Sequence, residues 1–332
     1  MQEVFVSGAS GYIAQNIVKL LISKGYKVIG TVRTAAKGEQ LKKDAGENFD
    51  YEIVEDIGVP NAFDEALKKH PHSYAFLHTA SPVTLATEDI ANDIIKPAVE
   101  GTLNALKSIQ KYGSNVKKVV ITSSAVAKID AKNMNNPDAE LVTGDSWNPI
   151  TDEEGLLNPT FGYFVAKRNA EKAAWDFVKN EKVKFSLNTI APTLVIGPQA
   201  YASGVKETFN FSVELLNSLL KMKPDSKMPV FDGNFVDVRD VAKLHLHAFE
   251  SDVENFCYLP ITNHFSIQTC ADIIRERFPS LRDTVPVGTP GTGKDLYNKS
   301  PRWDNKRTMA HLENPIQLEQ SVFDTIDQIV NK

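Results

Sequence analysis

A glycine-rich turn near the start of the chain limits its fold more than any other feature. Val4 to Val6 is a β-branched and aromatic run that predicts a strand, and apolar residues at helical spacing from Ile13 to Ile22 predict a helix. The turn between them has the spacing G-x-x-G-x-x-A and reads Gly8-Ala9-Ser10-Gly11-Tyr12-Ile13-Ala14. Small residues there let the backbone approach a pyrophosphate at the positive end of the helix. The alternative is a tight turn that binds no ligand.

Strands and helices continue to alternate after this unit. Apolar runs bounded by turn residues predict further strands at Lys27 to Val32, Tyr51 to Val54, Tyr74 to His78, Lys118 to Thr122 and Phe185 to Ile190. Helical spacing predicts helices at Glu39 to Ala45, Ala62 to Lys69, Glu88 to Lys111 with a kink at Pro97, and Phe161 to Lys179. This alternation favours right-handed crossovers and one parallel sheet covered on both faces. We therefore predict an α/β fold, a Rossmann-type doubly wound parallel sheet with a smaller C-terminal substrate-binding lobe.

Composition and charge exclude several classes of protein. Of the 332 residues, 42% are apolar and 24% are charged, which is typical of a globular protein. The 42 Asp and Glu residues outnumber the 37 Lys and Arg residues, and the resulting net charge of -5 argues against nucleic-acid binding. Two cysteines, Cys257 and Cys270, are too few for a disulfide framework. The chain has no apolar stretch long enough to span a membrane and no signal peptide, so we expect a cytoplasmic protein.

The end of the second predicted strand indicates which dinucleotide would bind. NAD sites usually have an acidic residue there, which holds the ribose 2′-hydroxyl. This chain has Arg33, followed by Lys37, and two cations suit a 2′-phosphate. Asp56 and Ile57 end the third strand, where they offer a carboxylate to the adenine amino group and an apolar surface to the ring. The sequence favours NADPH; solvated charges at the two cations and helix capping at Asp56 are the alternatives.

A phenol and an ammonium share one face of a predicted helix. Tyr163 and Lys167 stand four residues apart in the helix from Phe161. Ser124 lies at the carboxyl end of the strand from Lys118, at the edge where open α/β sheets bind ligands. We expect Tyr163 to protonate a substrate carbonyl, Lys167 to stabilise the phenolate and Ser124 to polarise the oxygen. The alternatives are capping by Ser124 and a buried helical aromatic at Tyr163.

Several longer segments resemble one enzyme family. Besides the groups already named, the matching segments are His78 to Pro82, Pro97 to Asn104, Ala191 to Pro198 and Val236 to Ala242. On these motifs the chain resembles the extended short-chain dehydrogenases/reductases, and within them the dihydroflavonol-reductase-like branch. Two segments are similar to those of fungal NADPH-dependent methylglyoxal and 3-methylbutanal reductases, namely Trp147 to Pro149 and Ala170 to Trp175.

This resemblance implies an activity and a set of site residues. The activity is NADPH-dependent reduction of aldehydes or ketones to alcohols, with methylglyoxal-type compounds, branched aldehydes and bulky ketones or ketoesters as candidate substrates. The implied cofactor contacts are Gly8 to Ile13, Arg33, Lys37, Asp56, Ile57, Thr79, Tyr163, Lys167, Val195 and Ser212. The implied substrate pocket comprises Val83, Ser124, Ala125, Tyr163 and Leu194. The fungal reductases carry aromatic residues at positions 83, 125 and 194, so we expect a wider apolar pocket here. The alternative is that neighbouring side chains such as Phe161 or Phe235 fill the space.

Glycine and proline residues interrupt the alternating pattern after Pro192. A chain of this length is sufficient for two domains. We predict an NADP-binding Rossmann domain over residues 1–191, with a returning segment near 230–248. Residues 192–332 are predicted to form mainly a substrate-binding lobe. The sequence leaves the oligomeric state open.

Other polar clusters favour structural roles. Two histidine pairs lack a third ligand at metal-site spacing, so we expect no metal; they are His70 with His72 and His245 with His247. Asp237 to Asp240 predicts a salt-bridge network between the lobes. Two other functions stay open, a nucleotide-sugar epimerase or dehydratase with bound NAD and a non-catalytic NADPH-sensing module. Arg33 argues against the first, and the Ser124, Tyr163 and Lys167 set argues against the second.

Overall fold

A computed structural model describes residues 1–82, 86–134, 136–206, 209–293 and 302–331. Seven parallel strands form its main sheet: β1 (Glu3–Ser7), β2 (Lys27–Val32), β3 (Phe49–Ile53), β4 (Ser73–His78), β5 (Lys118–Thr122), β6 (Ser186–Ile190) and β9 (Cys257–Tyr258). Their spatial order is β3-β2-β1-β4-β5-β6-β9. The order reverses between β1 and β4, and such a switch point opens a crevice at the carboxyl ends of the strands.

Helices cover both faces of this sheet. They are α1 (Tyr12–Ser23), α2 (Ala35–Ala45), α3 (Asp64–Lys69), α4 (Lys96–Tyr112), α5 (Asp152–Gly155), α6 (Pro159–Asn180) and α8 (Val238–Glu250). Side chains alternate across a strand, so Val4 and Val6 pack with α1 and α8 on one face. Phe5 packs on the other face with α3, α4 and α6. Every strand residue from Val4 to Val6 is completely buried, as a sheet covered on both faces requires.

Two helices differ from their predicted bounds by more than two residues. Helix α2 begins at Ala35, four residues before the predicted Glu39, which places Lys37 in its first turn. The predicted helix from Glu88 is replaced in part by a π-helical turn over Ala91–Ile95, which leads directly into α4. Pro97 is the second residue of α4, directly after this turn. The predicted distortion therefore takes the form of a wide turn before the proline.

A second, three-stranded sheet follows in the C-terminal part. It contains β7 (Leu194–Ile196), β8 (Asp232–Asp237) and β10 (Asn263–Ser266), with β8 in the centre. Strand β7 is parallel to β8, and β10 is antiparallel to it. The surrounding helices are α7 (Phe211–Leu219), α9 (Ile267–Arg277) and α11 (Leu318–Val330), whereas α10 (Lys306–Met309) packs against the core of the first sheet through Met309. A separate apolar core lies between this sheet and α7, α9 and α11.

The C-terminal half also contributes to the first sheet. Helix α8 packs against α1, and β9 pairs with β6 as its last strand. The predicted α/β class, with a parallel sheet and a smaller C-terminal part, is confirmed. The division of the chain at residue 191 stays a prediction.

Candidate active site

The phosphate loop is shaped by a close contact between two strand ends. Gly8 has a φ of +65°, and a Cβ atom there would lie 2.9 Å from the Cα atom of Ala80. Only glycine fits such a position without strain. Gly11 precedes α1, and no side chain caps that helix end. The first N–H groups of α1 are therefore available to an anionic ligand at the helix N-terminus.

Two cations stand beside this loop. The side chains of Arg33 and Lys37 are exposed, and within the described residues neither forms an ion pair or a side-chain hydrogen bond. An exposed guanidinium can bind a phosphate with two parallel hydrogen bonds. This pair therefore offers positive charge just after β2, where the sequence predicts a 2′-phosphate contact.

The end of β3 is fixed against α4. Asp56 accepts a hydrogen bond of 2.8 Å from the N–H of Gly58, so its carboxylate also shapes its own turn. Ile57 packs on Gly101, where an added Cβ atom would lie 2.6 Å from the Ile57 Cδ1 atom. The amide of Asn104 donates to the carbonyls of Ile57 and Val59, at 3.0 and 2.9 Å. The contact of α4 with this loop was not predicted from the sequence.

Ser124 is held between two backbone hydrogen bonds. The N–H of Ser123 donates to the Ile190 carbonyl at 2.7 Å, and the N–H of Ala125 donates to the Pro192 carbonyl at 2.9 Å. These bonds continue the pairing of β5 with β6 past the strand ends. The Ser124 hydroxyl also accepts from the Val126 N–H, but at 3.4 Å this cap is weak.

Helix α6 supplies the phenol and the ammonium. Asn158 caps the helix by accepting a hydrogen bond of 2.9 Å from the Phe161 N–H, and Pro159 follows at the first helical position. Tyr163 lies in the second turn, and the Lys167 Nζ atom is 6.0 Å from the centre of the Tyr163 ring. The structure therefore brings the two side chains to one face, as their spacing predicts.

Burial changes the acidity of both groups. It raises the pKa of the half-buried Tyr163 phenol, while the neighbouring Ser124 hydroxyl opposes that rise. Burial lowers the pKa of Lys167 to about 8, and the negative charge of Glu171 opposes that fall. Perturbed acidities of neighbouring groups are typical of reactive sites. The hydroxyl, phenol and ammonium together form a centre suited to proton transfer.

The other predicted site residues lie in four places. Thr79 follows β4, where its hydroxyl donates to the Ser7 carbonyl at 2.5 Å. Val195 is buried in β7, in a cluster that Tyr12 and Ile13 contact, and Ser212 is buried on α7, where it accepts from Asn210 at 2.8 Å. Leu194 packs against the core of the second sheet, and Ala125 is buried with Ala191, Cys257 and Leu259. Val83 lies outside the described residues.

The match to known proteins covers most of the chain. The model of the NAD dependent epimerase/dehydratase family matches residues 4–257. The chain belongs to this family. The resemblance to extended short-chain dehydrogenases/reductases is thereby confirmed.

Individual members of the family are similar over nearly their whole length. The chain is 46% identical to the putative NADPH-dependent methylglyoxal reductase GRP2 of Candida albicans, over 98% of each chain. It is 40% identical to the NADPH-dependent methylglyoxal reductase GRE2 of Saccharomyces cerevisiae, again over 98% of each chain. The crystal structure of Gre2 in complex with NADPH from Candida albicans has a TM-score of 0.96 at 45% identity, over 100% of this chain and 99% of that one.

Asn148, a residue that its sequence position does not mark as functional, connects the turn after Ser124 to helix α6. Asn148 is buried, and its amide donates to the carbonyls of Val126 and Phe164, at 2.7 and 3.1 Å. Those carbonyls belong to the turn after Ser124 and to the residue after Tyr163. Asn148 thus fixes the serine turn against α6. Asn148 lies in the Trp147 to Pro149 segment, but nothing in the sequence shows what its side chain contacts.

The remaining polar clusters have structural partners. Arg239 forms ion pairs with Asp237 at 2.8 Å and with Asp324 at 2.6 Å, so the network joins α8 to α11. Among the described residues, no three His, Cys, Asp or Glu side chains are close enough to hold a metal ion. In the same residues, no helix combines the length and the apolar character needed to cross a membrane.

Proposed function

We propose that this protein is an NADPH-dependent carbonyl reductase that converts aldehydes or ketones to alcohols. The observation that carries the proposal is the meeting of Ser124, Tyr163 and Lys167 at the carboxyl edge of the parallel sheet. That edge also carries the N-terminus of α1 and the cations Arg33 and Lys37, which form no ion pair within the described residues. The methylglyoxal reductases to which the chain is similar are NADPH-dependent, which supports the same activity.

The chain offers suitable partners for NADPH. The turn at Gly8 leaves the backbone accessible, and the first N–H groups of α1 suit a pyrophosphate. Arg33 and Lys37 would hold the 2′-phosphate, and Asp56 with Ile57 would hold the adenine. When bound, NADPH supplies the hydride for the reduction. We assign cofactor binding to residues 1–191, with help from the segment near 230–248, and substrate binding mainly to residues 192–332.

Tyr163 acts as the general acid in this proposal. A free phenol has a pKa of about 10, so it gives up its proton near neutral pH only when its anion is stabilised. Lys167 provides positive charge one helical turn away, and the neighbouring Ser124 hydroxyl favours the phenolate as well. Ser124 also polarises the substrate oxygen, and Lys167 binds the ribose of the cofactor. The proton moves from the Tyr163 hydroxyl to the carbonyl oxygen of the substrate.

The substrate range is proposed to include bulky carbonyl compounds. The residues at positions 83, 125 and 194 are valine, alanine and leucine, all smaller than an aromatic side chain. An apolar pocket selects by shape and by the apolar area that a ligand covers. The protein should therefore reduce aryl ketones, ketoesters and branched aldehydes with higher efficiency than methylglyoxal.

A panel of carbonyl compounds tests the proposed function. Loss of NADPH absorbance is followed with methylglyoxal, 3-methylbutanal, a phenyl-substituted ketone and a ketoester. We expect turnover with at least one of them, and faster turnover with NADPH than with NADH. If none of them consumes NADPH and the purified protein releases NAD when it is denatured, the epimerase alternative replaces this proposal.

A further inference from the structure

A completely buried ion pair lies behind the serine turn. The Nζ atom of Lys128 is 2.8 Å from the Oε1 atom of Glu171, and each side chain is 1% exposed. The ammonium also lies 3.7 Å from the centre of the Trp147 ring. A buried ion pair is a weak source of stability, because desolvation of both charges offsets their attraction. A contribution to stability therefore does not by itself explain why this ion pair is present.

The Glu171 carboxylate receives three further hydrogen bonds. The hydroxyl of Ser123 donates to Oε2 at 2.5 Å, and the hydroxyl of Thr189 donates to Oε1 at 2.9 Å. The indole N–H of Trp175 donates to Oε1 at 3.2 Å. One carboxylate thus joins α6 to the ends of β5 and β6.

Glu171 also stands one helical turn after Lys167. Both side chains border a small cavity at the end of β4 and β5, together with His78 and Ser123. The titratable groups among the described residues that line this cavity are His78, Lys167 and Glu171. Burial and the charge of Lys167 lower the pKa of His78 to about 3, so His78 is neutral at physiological pH. Glu171 is therefore the negative charge that faces Lys167, with the Lys128 ammonium bound to its other side.

We propose that Glu171 is a positioning residue for the catalytic centre. It fixes the Ser123–Ser124 turn through its hydrogen bond with Ser123, and its charge keeps the buried Lys167 protonated. The inference rests on the proposed reductase function and adds a residue that touches neither substrate nor cofactor. Four-residue steps along α6 place Tyr163, Lys167 and Glu171 on one face. The sequence spacing contains this signal, but only the structure shows that the third position is a buried carboxylate.

The test removes the negative charge of Glu171 both alone and together with the positive charge of its partner Lys128. The Glu171→Gln variant leaves Lys128 buried without a counter-ion, so it is expected to lose stability. The double variant Lys128→Met, Glu171→Gln removes both charges and is expected to melt near the temperature of the unaltered protein. Glu171→Asp keeps the charge. Glu65→Gln alters an exposed partner of Lys68 and serves as the matched control.

The readout is the pH profile of kcat/KM for NADPH oxidation, with the compound that the unaltered protein reduces fastest. Without the Glu171 charge, the pKa of Lys167 falls, so its proton is lost at a lower pH. In the double variant we expect the basic limb to move down by about one pH unit, which lowers the rate above that limb about tenfold. Glu171→Asp and Glu65→Gln are expected to keep the original limb.

Two outcomes would overturn the positioning role. In the first, the double variant has both the stability and the pH profile of the unaltered protein, which makes Glu171 only the partner of Lys128. In the second, Glu171→Asp moves the limb as far as the glutamine variants do. If the unaltered protein reduces no carbonyl, the proposed function fails. The pH dependence of NADPH binding, measured by fluorescence on the same variants, then still tests Glu171.

Discussion

The phenol of Tyr12 donates a hydrogen bond of 2.7 Å to the backbone carbonyl of Gly197. The bond joins the first residue of α1, at the phosphate loop, to the turn after β7, 185 residues along the chain. Burial and the charge of Asp237 raise the pKa of Tyr12 well above its usual value, so the phenol stays a donor over the physiological range. The cofactor loop and the second sheet are therefore directly connected.

We expect Tyr12→Phe to destabilise the protein by about 1 kcal/mol, because a hydrogen bond is lost and a carbonyl is left without its donor. For a chain of this size, that loss lowers the melting temperature by about 2 °C. Calorimetry measures the change. Tyr26→Phe is the matched control, since its bond to Glu250 is exposed. If Tyr12→Phe and Tyr26→Phe lower the melting temperature equally, the Tyr12 hydrogen bond contributes no more to stability than an exposed one.

Arg33→Asp should reverse the preference between the two nicotinamide cofactors. The change puts a carboxylate beside the proposed 2′-phosphate and offers a partner to the 2′-hydroxyl of NADH. Loss of a charged hydrogen bond is worth about 1.5–3 kcal/mol, which is about 10- to 150-fold in kcat/KM for NADPH. Steady-state rates with both cofactors measure it. Lys43→Asp, an exposed change elsewhere on α2, should leave the ratio of kcat/KM for NADPH to that for NADH unaltered. A similar loss of kcat/KM for NADPH in this variant would show that any added negative charge on α2 repels the cofactor.

Tyr163→Phe removes only the phenolic hydroxyl. NADPH should still bind, while kcat falls by about 100- to 10,000-fold, the range for loss of a general acid. Fluorescence titration and single-turnover kinetics separate the two effects. Tyr112→Phe, at the last residue of α4, is the control. Turnover within a few-fold of the unaltered protein would exclude Tyr163 as the proton donor.

The pocket is expected to favour bulky carbonyl compounds. Efficiency should be higher with a phenyl-substituted ketone than with methylglyoxal, because the larger ligand covers more apolar surface. Val83→Phe should lower the ratio of the two efficiencies by reducing the width of the pocket. Val59→Phe, a change at an exposed valine outside the proposed pocket, is the control. The hypothesis is wrong if methylglyoxal is the better substrate and Val83→Phe leaves the ratio unchanged.

His245 should make the fold sensitive to acid. Burial lowers the pKa of His245 to about 4, whereas an unfolded chain has a value of about 6.5. The unfolded state therefore gains a proton first, and stability falls as the pH drops from about 6.5 to about 4, by about 3 kcal/mol. His245→Gln should reduce this slope in urea unfolding curves measured across that range, and the slope that remains includes the contribution of His78. The exposed His72→Gln variant should keep the slope of the unaltered protein. Parallel slopes in all three proteins would show that other groups dominate.

The local signals in the sequence predicted the first sheet well. Runs such as Lys118 to Thr122 are apolar and β-branched, and the same residues form β5. Tyr163 and Lys167 could be paired because helical spacing alone places them on one face. The contacts of Asn148 and Glu171 could not be predicted in this way, because their partners come from distant parts of the chain. The bridge between Val142 and Trp303 is similar, since no local pattern indicates a pairing over that separation.

Strand β9 has a consequence for any attempt to dissect the molecule. It is two residues long, yet the carbonyl of Phe256, just before it, and that of Tyr258, within it, accept hydrogen bonds from the N–H groups of Thr189 and Ala191. A fragment that stops at residue 191 would leave this edge of β6 open. Unpaired edges of apolar sheets recruit strands from other molecules. The C-terminal half therefore protects the first half from self-association, and a truncated cofactor domain should aggregate rather than remain monomeric.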